Sequence, residues 1–329
     1  MSFAPALPRT ERLPIVARVS PYLNIARFDH WVKNVFVLPG VVLSLSVFTP
    51  RWQELVFHLV IGMLAVGCVA SSNYVLNEVM DAPFDRCHPT KRLRPVASRR
   101  VYLPCAFAEW LFLGALGLGL AKFVSGPLVW TLMMLWIMGI IYNVPPVRSK
   151  DLPYLDVLSE AVNNPLRMFA GWYIVRPLSS PPLSLLISYW MIGCFFMATK
   201  RYAEYKELAD PAKSAAYRRS FAFYNEERLL TSIMFYASFG MLMLGAFIIR
   251  YRLEWILAFP LVALVMAIYL SLSFKPDSAA QRPEGLYREP ALMSSVIVAA
   301  AVLTIFLFVS VPALQRWFSP IPFGLSVRR

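Results

Sequence analysis

The sequence predicts an all-α membrane protein with about nine transmembrane helices. Of its 329 residues, 58% are hydrophobic and only 16% are charged, a balance too apolar for an ordinary soluble domain. Apolar runs of roughly 20 residues recur along the chain, and each is long enough to cross a hydrocarbon core of about 30 Å. The runs lack the alternation of barrel strands, and lipid does not tolerate unpaired backbone, so helices are expected.

Nine apolar segments carry this prediction. They form one transmembrane domain over residues 31–315, between a lead-in at 1–30 and a short tail at 316–329. Prolines interrupt the fourth and fifth segments, and Pro165 is expected to break its helix locally. The segments are residues 32–49, 55–77, 101–122, 126–145, 157–177, 182–199, 229–249, 253–274 and 291–313.

The basic residues fall mainly on one side of these segments. With the N-terminus in the cytoplasm, 23 of the 32 Lys and Arg residues lie in cytoplasmic loops. This asymmetry predicts an inner-membrane protein with its N-terminus inside and its C-terminus outside. The long polar loops 78–100 and 200–228 then share the cytoplasmic face, where a central cavity is expected to open. These loops and anionic lipid explain the formal charge of +13, so no nucleic-acid partner is expected.

The first candidate site lies at the end of the second segment. Asn77, Asp81 and Asp85 are spaced four residues apart, so they share one face of a helix. We call these three residues the first acidic stripe, or the stripe. Their oxygens suit Mg²⁺, which takes hard oxygen ligands and keeps room for substrate phosphates. A solvated helix end is the alternative. It does not explain carboxylates one turn apart, which repel each other without a cation between them.

A basic run, His88-Pro89-Thr90-Lys91-Arg92-Leu93-Arg94-Pro95, follows directly. Lys91, Arg92 and Arg94 carry the cationic groups that bind phosphate, and the prolines brace the run as a loop. A positive-inside loop would explain the charges but not the aspartates beside them. A metal site next to phosphate-binding cations indicates an enzyme that activates a diphosphate leaving group at a membrane.

A second polar stripe lies in the fifth segment. Asp156, Glu160, Asn163 and Arg167 are spaced so that one continuous helix would place them on one face. Ionisable groups at membrane depth are costly and usually face a cavity or a partner. Arg167 is therefore expected to face the first acidic stripe and to hold a phosphate oxygen. An internal Glu160–Arg167 pair is the alternative.

Two further polar pairs lie at segment ends. Lys200 and Arg201 end the sixth segment, and Lys33 and Asn34 begin the first. Each pair suits a phosphate or a lipid headgroup. The alternatives are an amphipathic loop on the membrane surface and an ordinary interface anchor. The three His and four Cys residues are scattered, so neither a His-based metal site nor a disulfide is expected.

These motifs resemble the UbiA superfamily of intramembrane prenyltransferases, in particular its decaprenyl-phosphate phosphoribosyltransferase branch. The nine segments and the Asn-x-x-x-Asp-x-x-x-Asp pattern match the superfamily. The chain departs from the family pattern at Glu78, which usually is Asp, and at Asn163-Asn164-Pro165. The runs that match the branch are Trp31–Asn34, Asp85–Pro95, Leu166–Gly171 and Thr199–Glu204.

The resemblance implies Mg²⁺-dependent transfer of a 5-phosphoribosyl group from phosphoribosyl diphosphate to a polyprenyl phosphate, giving a lipid-linked sugar. It places the metal on Asn77, Asp81 and Asp85, and it gives catalytic roles to Asp81, Asp85 and Arg167. The substrate-binding residues would be Lys33, Asn34, Lys91, Arg92, Arg94, Asp156, Glu160, Lys200 and Arg201.

Two other functions stay open at this point. The first is prenyl transfer of the usual UbiA type, from a prenyl diphosphate to an aromatic or other small acceptor. The second is a transporter or lipid carrier, since buried acids and broken helices also occur in such proteins. The sequence also leaves a homo-oligomer open.

Overall fold

The computed structural model describes residues 15–318 except 87–90, 209–218, 277 and 282. Every regular element within these residues is helical, which confirms the predicted all-α class. Residues 1–14 of the predicted lead-in, the end of the tail and His88–Thr90 of the basic run lie outside the described residues.

The helices follow one another with short connections. Seven 3-10 helices in the described residues cover Phe28–Val37, Lys91–Leu93, Ser149–Asp151, Arg219–Ala222, Leu253–Leu257, Ala279–Gln281 and Pro283–Arg288. The α-helices there are α1 (Ile15–Ala26), α2 (Leu38–Leu45), α3 (Trp52–Asp85), α4 (Leu103–Lys122), α5 (Gly126–Asn143), α6 (Leu155–Ala161), α7 (Asn163–Val175), α8 (Leu183–Leu208), α9 (Glu226–Tyr251), α10 (Phe259–Ser273), α11 (Pro290–Phe308) and α12 (Pro312–Phe318).

Six helices within the described residues are long and apolar enough to cross a membrane: α3, α4, α5, α8, α9 and α11. The apolar helix α10 has 15 residues and is shorter than a usual span. All nine predicted segments coincide with helical elements. However, the first, fifth, eighth and ninth are divided between two elements, so the count of nine spans stays a prediction.

The fifth predicted segment is interrupted at Val162, between α6 and α7. Pro165 explains the interruption, because it lacks an amide hydrogen and its ring crowds the carbonyl four residues earlier, at Ala161. The predicted local break is confirmed. Val162 keeps a right-handed helical backbone and its amide nitrogen donates to Leu158, so the shared face of Asp156 and Arg167 stays a prediction.

The helix α3 carries the first acidic stripe beyond the apolar region. Its 34 residues correspond to about 51 Å, well above the roughly 30 Å of a hydrocarbon core. The helix continues past the predicted segment end at residue 77 and stops at Asp85. Asn77, Asp81 and Asp85 therefore lie on one helix, as the spacing predicts.

Two glycines let the first segment pack directly against α7. A Cβ atom on Gly40 would overlap the carbonyl oxygen of Met168, and one on Gly171 would overlap the carbonyl oxygen of Val37. The backbones thus touch without intervening side chains. Any larger residue at these positions would push α7, and Arg167 with it, away from the first segment.

The polar loops that the sequence places on one side meet at one end of the bundle. Arg148, from the loop after α5, lies 3.1 Å from Asp81 at the end of α3. Tyr224, just before α9, donates a 2.6 Å hydrogen bond to Asp156 at the start of α6. Loops distant in sequence therefore build a single polar region over the apolar core.

Candidate active site

Asp81 is held by two cationic side chains from the loop after α5. Lys150 Nζ donates to Asp81 Oδ1, and Arg148 Nη2 lies 3.1 Å from the same oxygen. Both cations are largely buried, so the carboxylate compensates for their lost hydration. The second oxygen, Oδ2, accepts no hydrogen bond from any described residue.

The loop after α5 is shaped so that Arg148 points back onto α3. Arg148 has a φ of 32°, an uncommon backbone conformation for a residue other than glycine. Its guanidinium also donates to Asp151 at 3.0 Å and to the carbonyl oxygen of Met80 at 3.3 Å. It lies over the ring of Phe84, 4.8 Å from the centroid. These contacts fasten the loop to the last turns of α3.

Asn77 is oriented by the end of α5. Its Nδ2 donates a 2.7 Å hydrogen bond to Asn143 Oδ1, which also accepts from Lys150 Nζ at 2.8 Å. Because the amide nitrogen is used in this way, Asn77 Oδ1 is left as an acceptor. Asn143 thus joins the first residue of the stripe to the lysine that holds the second.

Asp85 is paired with the basic run that follows it. Arg94 Nη1 lies 2.7 Å from Asp85 Oδ2, while Asp85 Oδ1 accepts no hydrogen bond within the described part of the chain. The Asp85 side chain is 7% exposed, so this pair is mostly shielded from water. In contrast, Arg92 is exposed to solvent.

Lys91 lies within electrostatic range of the acidic groups at this end of the bundle. Burial, and secondarily the charge of Arg94, lowers the pKa of Lys91, whereas Asp85, Asp81 and Glu204 act in the opposite direction. A buried ammonium in this position gains most when an anion comes within contact distance.

The donor set of the stripe fits a metal ion that substrate phosphates complete. No group of three or more His, Cys, Asp or Glu side chains in the described residues is arranged to hold a metal. The stripe instead offers two carboxylates and one amide, each with an oxygen not used by a described donor. This suits Mg²⁺, which commonly binds through one or two carboxylates together with substrate phosphates.

Asp156 belongs to a second, buried cluster. Its side chain has no exposed surface, and it accepts from Tyr224 Oη at 2.6 Å and from Ser220 Oγ at 3.2 Å. Arg201 Nε lies 3.4 Å from its Oδ2. Both carboxylate oxygens are thus engaged by the protein itself.

Arg201 is the centre of this cluster. Its guanidinium lies 2.7 Å from Glu160 Oε2 and 2.9 Å from Glu204 Oε2, in addition to the contact with Asp156. The side chain is 5% exposed, so three carboxylates rather than water surround it. Tyr142 Oη adds a 2.9 Å hydrogen bond to Glu160. Glu160 is the most exposed member, at 31%.

The end of α5 connects the two clusters. Tyr142 contacts Glu160 in the second cluster, and the next residue, Asn143, contacts Asn77 in the first. Neighbouring residues at a helix end therefore set the separation between the acidic groups of α3 and those of α6.

Arg167 lies deeper in the bundle, near Tyr74 of α3 and Tyr189 of α8. Its Nε atom is buried and has no hydrogen-bond partner among the described residues. The proposed internal pair with Glu160 is absent there, because Glu160 pairs with Arg201. Arg167 thus faces α3 one turn below the stripe, and its Nε–H group remains able to donate to a ligand.

The remaining predicted residues lie at the edge of the polar region. Lys33 Nζ is 3.4 Å from His30 Nδ1, and Asn34 is buried with 2% exposure. Lys200 Nζ is 4.0 Å from Glu204 Oε1. The structure therefore does not bring Lys33 or Lys200 into direct contact with the aspartates of the stripe.

Four residues at the site were not singled out from the sequence: Tyr142, Asn143, Arg148 and Lys150. A usable signal was present, since Arg148-Ser149-Lys150 follows the end of α5 in a short loop predicted on the same side as the stripe. The positive charges of Arg148 and Lys150 are also explained by the excess of basic residues in cytoplasmic loops. For that reason the sequence alone did not indicate their pairing with Asp81.

Comparisons with known proteins agree with this architecture. The profile of the UbiA prenyltransferase family matches residues 35–296. The decaprenyl-phosphate phosphoribosyltransferase of Mycobacterium tuberculosis is 28% identical over 212 residues, which cover 64% of this chain and 68% of that enzyme. An uncharacterised Sinorhizobium fredii protein, y4nM, is 28% identical over 157 residues, 46% of this chain, but the match spans only 28% of its length.

The fold has solved counterparts. A UbiA homolog from Archaeoglobus fulgidus, bound to DMAPP and Mg²⁺, superposes with a TM-score of 0.67 at 20% sequence identity. The match covers 90% of this chain and 99% of that one. The arrangement of helices is therefore that of UbiA proteins, and the several long apolar helices are those of an integral membrane protein. Because the family profile covers most of its length, the chain belongs to the UbiA prenyltransferase family.

Proposed function

We propose that this transferase moves a 5-phosphoribosyl group from phosphoribosyl diphosphate to a polyprenyl phosphate and releases diphosphate. The donor is soluble in water and would enter from the cytoplasm. The acceptor would lie in the bilayer with its phosphate at the polar end of the bundle.

The observation that carries this proposal is the excess of positive charge around the stripe. Arg148 and Lys150 contact Asp81, Arg94 contacts Asp85, and Lys91 lies within range of both aspartates. With Asp151, which also pairs with Arg148, four cations thus face three carboxylates before any metal binds. A prenyl diphosphate carries phosphate at one end only, whereas the phosphoribosyl donor carries it at both, so the larger anion uses this charge better.

Sequence similarity supports the same choice. Proteins named decaprenyl-phosphate phosphoribosyltransferase from Mycobacterium tuberculosis, Corynebacterium glutamicum and Mycolicibacterium smegmatis match this chain at 26–28% identity. The match to the Corynebacterium protein covers 62% of both chains. Similarity at this level favours a related donor and acceptor but leaves both to be tested.

Asn77, Asp81 and Asp85 would hold Mg²⁺, which supplies charge neutralisation of the departing diphosphate. Lys150 and Arg148 orient Asp81, and they lie where they could donate to diphosphate oxygens. Lys91 and Arg94 would bind phosphate oxygens from the other side of the stripe. Exposed Arg92 would act at most in attracting the donor from solution.

The reaction would break the bond between the ribose C1 atom and the diphosphate oxygen, and it would form a bond from C1 to an oxygen of the lipid phosphate. The electron pair of the broken bond leaves with the diphosphate. The attacking oxygen is already anionic, so no general base is required. This agrees with the scattered His residues in the sequence.

Arg167 would contribute to binding the lipid phosphate. It is buried near Tyr74, with an Nε atom that lacks a partner among the described residues, and α7 places it below the stripe. Lys33 and Asn34, at the start of the first segment, and Lys200, at the end of α8, would act at the rim.

The second cluster would position the site rather than contact substrate. Asp156 and Arg201 are almost fully buried and form an ion pair at 3.4 Å, and Arg201 also pairs with Glu204. We therefore reassign both from substrate binding to positioning. Glu160, the most exposed member at 31%, would be the residue of this cluster that contacts a ligand.

Prenyl transfer from a prenyl diphosphate is the second candidate. It is favoured by the Archaeoglobus fulgidus homologs of the same fold, which bind DMAPP or GPP together with Mg²⁺. These relatives are 20–21% identical to this chain, so they support the fold and not the substrate.

A direct assay separates the two candidates. Purified protein is incubated with Mg²⁺, polyprenyl phosphates of several lengths and phosphoribosyl diphosphate labelled in the ribose. Label that moves into the organic phase, and no longer does so with EDTA, establishes phosphoribosyl transfer. No transfer to any lipid, together with turnover of a prenyl diphosphate, would refute the proposal.

A further inference from the structure

A separate cavity of about 560 Å³ lies between α1, the start of the first segment and the loop after α3. Its walls include Asn24, Arg27, His30, Glu78 and Arg94. This volume is within the usual range for small-molecule sites. Arg94, assigned above to phosphate binding, lines it together with Arg27, which has no role assigned above.

The two guanidinium groups retain most of their donors. A guanidinium carries five N–H donors. In the described residues, Arg27 Nη2 donates to Glu78 at the long distance of 3.4 Å, and Arg94 Nη1 donates to Asp85. Their side chains are 20% and 28% exposed, so both can still meet a ligand.

Acidic groups do not cancel this capacity. Glu78 is 2% exposed and already accepts from Arg27 and from the main-chain nitrogen of Val96. The Asp29 carboxylate is 77% exposed and lies 3.5 Å from His30, so solvent screens most of its charge. A planar fork on each wall is the arrangement that binds phosphate oxygens well.

The backbone at Arg27 is unusual. Its φ of 50° and ψ of 53° place it in the left-handed region, which residues other than glycine rarely adopt. This conformation joins α1 to the next helix and directs the Arg27 side chain towards Glu78 and the ring of Tyr74. Such outliers tend to persist where a function depends on them.

Arg94 also connects the cavity to the metal stripe, because it pairs with Asp85. We propose that the cavity is a phosphate-monoester subsite formed by Arg27 and Arg94. On the proposed function, on which this inference rests, the ligand is the 5-phosphate of the donor. The phosphate of the lipid acceptor would present the same chemistry.

The test measures binding without turnover. Purified protein is titrated by calorimetry with ribose 5-phosphate, with a short-chain polyprenyl phosphate, and with pyrophosphate plus Mg²⁺. Arg27→Lys keeps a positive charge beside Glu78 but loses the fork, and Arg27→Asn tolerates the left-handed backbone. Arg51→Lys is the matched control, since Arg51 is 87% exposed and its ion-pair partner in the described residues is nearby Glu54.

Arg27→Lys and Arg27→Asn are expected to weaken ribose 5-phosphate binding about tenfold, the usual cost of a lost charge-assisted contact. Pyrophosphate binding and the Arg51→Lys control should not change. Weaker binding of the polyprenyl phosphate alone would support the subsite and identify the lipid as its ligand. Unchanged affinity for both phosphate monoesters would overturn the proposal.

Failure of the subsite can be distinguished from failure of the proposed function. A protein that transfers no phosphoribosyl label, yet binds ribose 5-phosphate through Arg27, retains the subsite and refutes the reaction. A protein that transfers label, and whose Arg27→Lys variant binds both phosphate monoesters with unchanged affinity, keeps the reaction and refutes the subsite.

Discussion

The two acidic clusters use the same residue types for different purposes. In the first, Asp81 and Asp85 each keep one oxygen that no described residue uses. In the second, both oxygens of Asp156 are engaged by Tyr224, Ser220 and Arg201. Carboxylates that keep an acceptor can bind a metal, whereas satisfied carboxylates hold the protein together. Accessible oxygens, rather than the number of acids, therefore distinguish the ligand site from its support.

Substitution in the first cluster should have the largest effect on activity. Asp81→Asn should lower turnover about a thousandfold or more, because it removes a metal ligand and leaves Lys150 and Arg148 without their carboxylate. The matched control is Glu54→Gln, an exposed acid at the other end of α3. Near-native turnover of Asp81→Asn at saturating Mg²⁺ would contradict the assignment of the metal.

Substitution in the second cluster should affect stability first. Asp156→Asn leaves Arg201 with one charge partner fewer inside the protein, which should cost about 3 kcal/mol. The KM for the donor, measured on the folded fraction, should stay within about twofold of the native value. Thermal unfolding in detergent gives the first quantity. An unchanged melting temperature with a raised KM would make Asp156 a substrate contact after all.

Tyr224→Phe should lower the free energy of unfolding by less than Asp156→Asn does. The hydroxyl donates to Asp156 and accepts from the main-chain nitrogen of Tyr154, whose φ is 64°. Removing both bonds should cost about 1–2 kcal/mol. Tyr205→Phe, on α8, is the comparison, since no hydrogen bond in the described residues uses its hydroxyl. Equal melting temperatures for the two variants would show that Tyr224 contributes nothing specific.

The lowered pKa of Lys91 predicts a pH dependence. Lys91 is charged below its pKa, so donor binding is strong there and weakens as the pH rises through that value. Because the pKa is lowered, this weakening should begin at a lower pH than for an exposed lysine. In Lys91→Arg the side chain stays protonated, and the alkaline rise in donor KM should move to higher pH. Identical pH profiles for both proteins would exclude Lys91 from donor binding.

The smallest effect on turnover and stability is expected for a substitution near the C-terminus. Arg316 lies on α12, is exposed, and is predicted to face the outside. Arg316→Ala should leave turnover and melting temperature unchanged. A loss of donor binding in this variant would contradict the placement of both clusters at one end of the bundle.

Residue spacing was sufficient to predict the first cluster. Intervals of four placed Asn77, Asp81 and Asp85 on one face, and α3 remains helical through all of them. The presence of a proline predicted the break at Pro165. These features depend on local geometry, which periodicity along a sequence reports directly.

The partners of the stripe were not predictable in the same way. Lys150 reaches Asp81 across 69 positions of sequence, and Arg201 reaches Glu160 across 41. Such pairs depend on how helices pack, which a single sequence does not state. The same reason explains why Arg201 was expected to bind substrate, although three carboxylates surround it.

Metal binding in the absence of turnover tests the central distinction most directly. Mn²⁺, a spectroscopic substitute for Mg²⁺ at oxygen sites, is titrated with pyrophosphate into the native protein, Asp81→Asn and Asp156→Asn and followed by electron paramagnetic resonance. We expect the native signal of bound Mn²⁺ to persist in folded Asp156→Asn and to be lost in Asp81→Asn. Loss of the signal in Asp156→Asn, with retention in Asp81→Asn, would show that the second cluster holds the metal and would contradict the assignment.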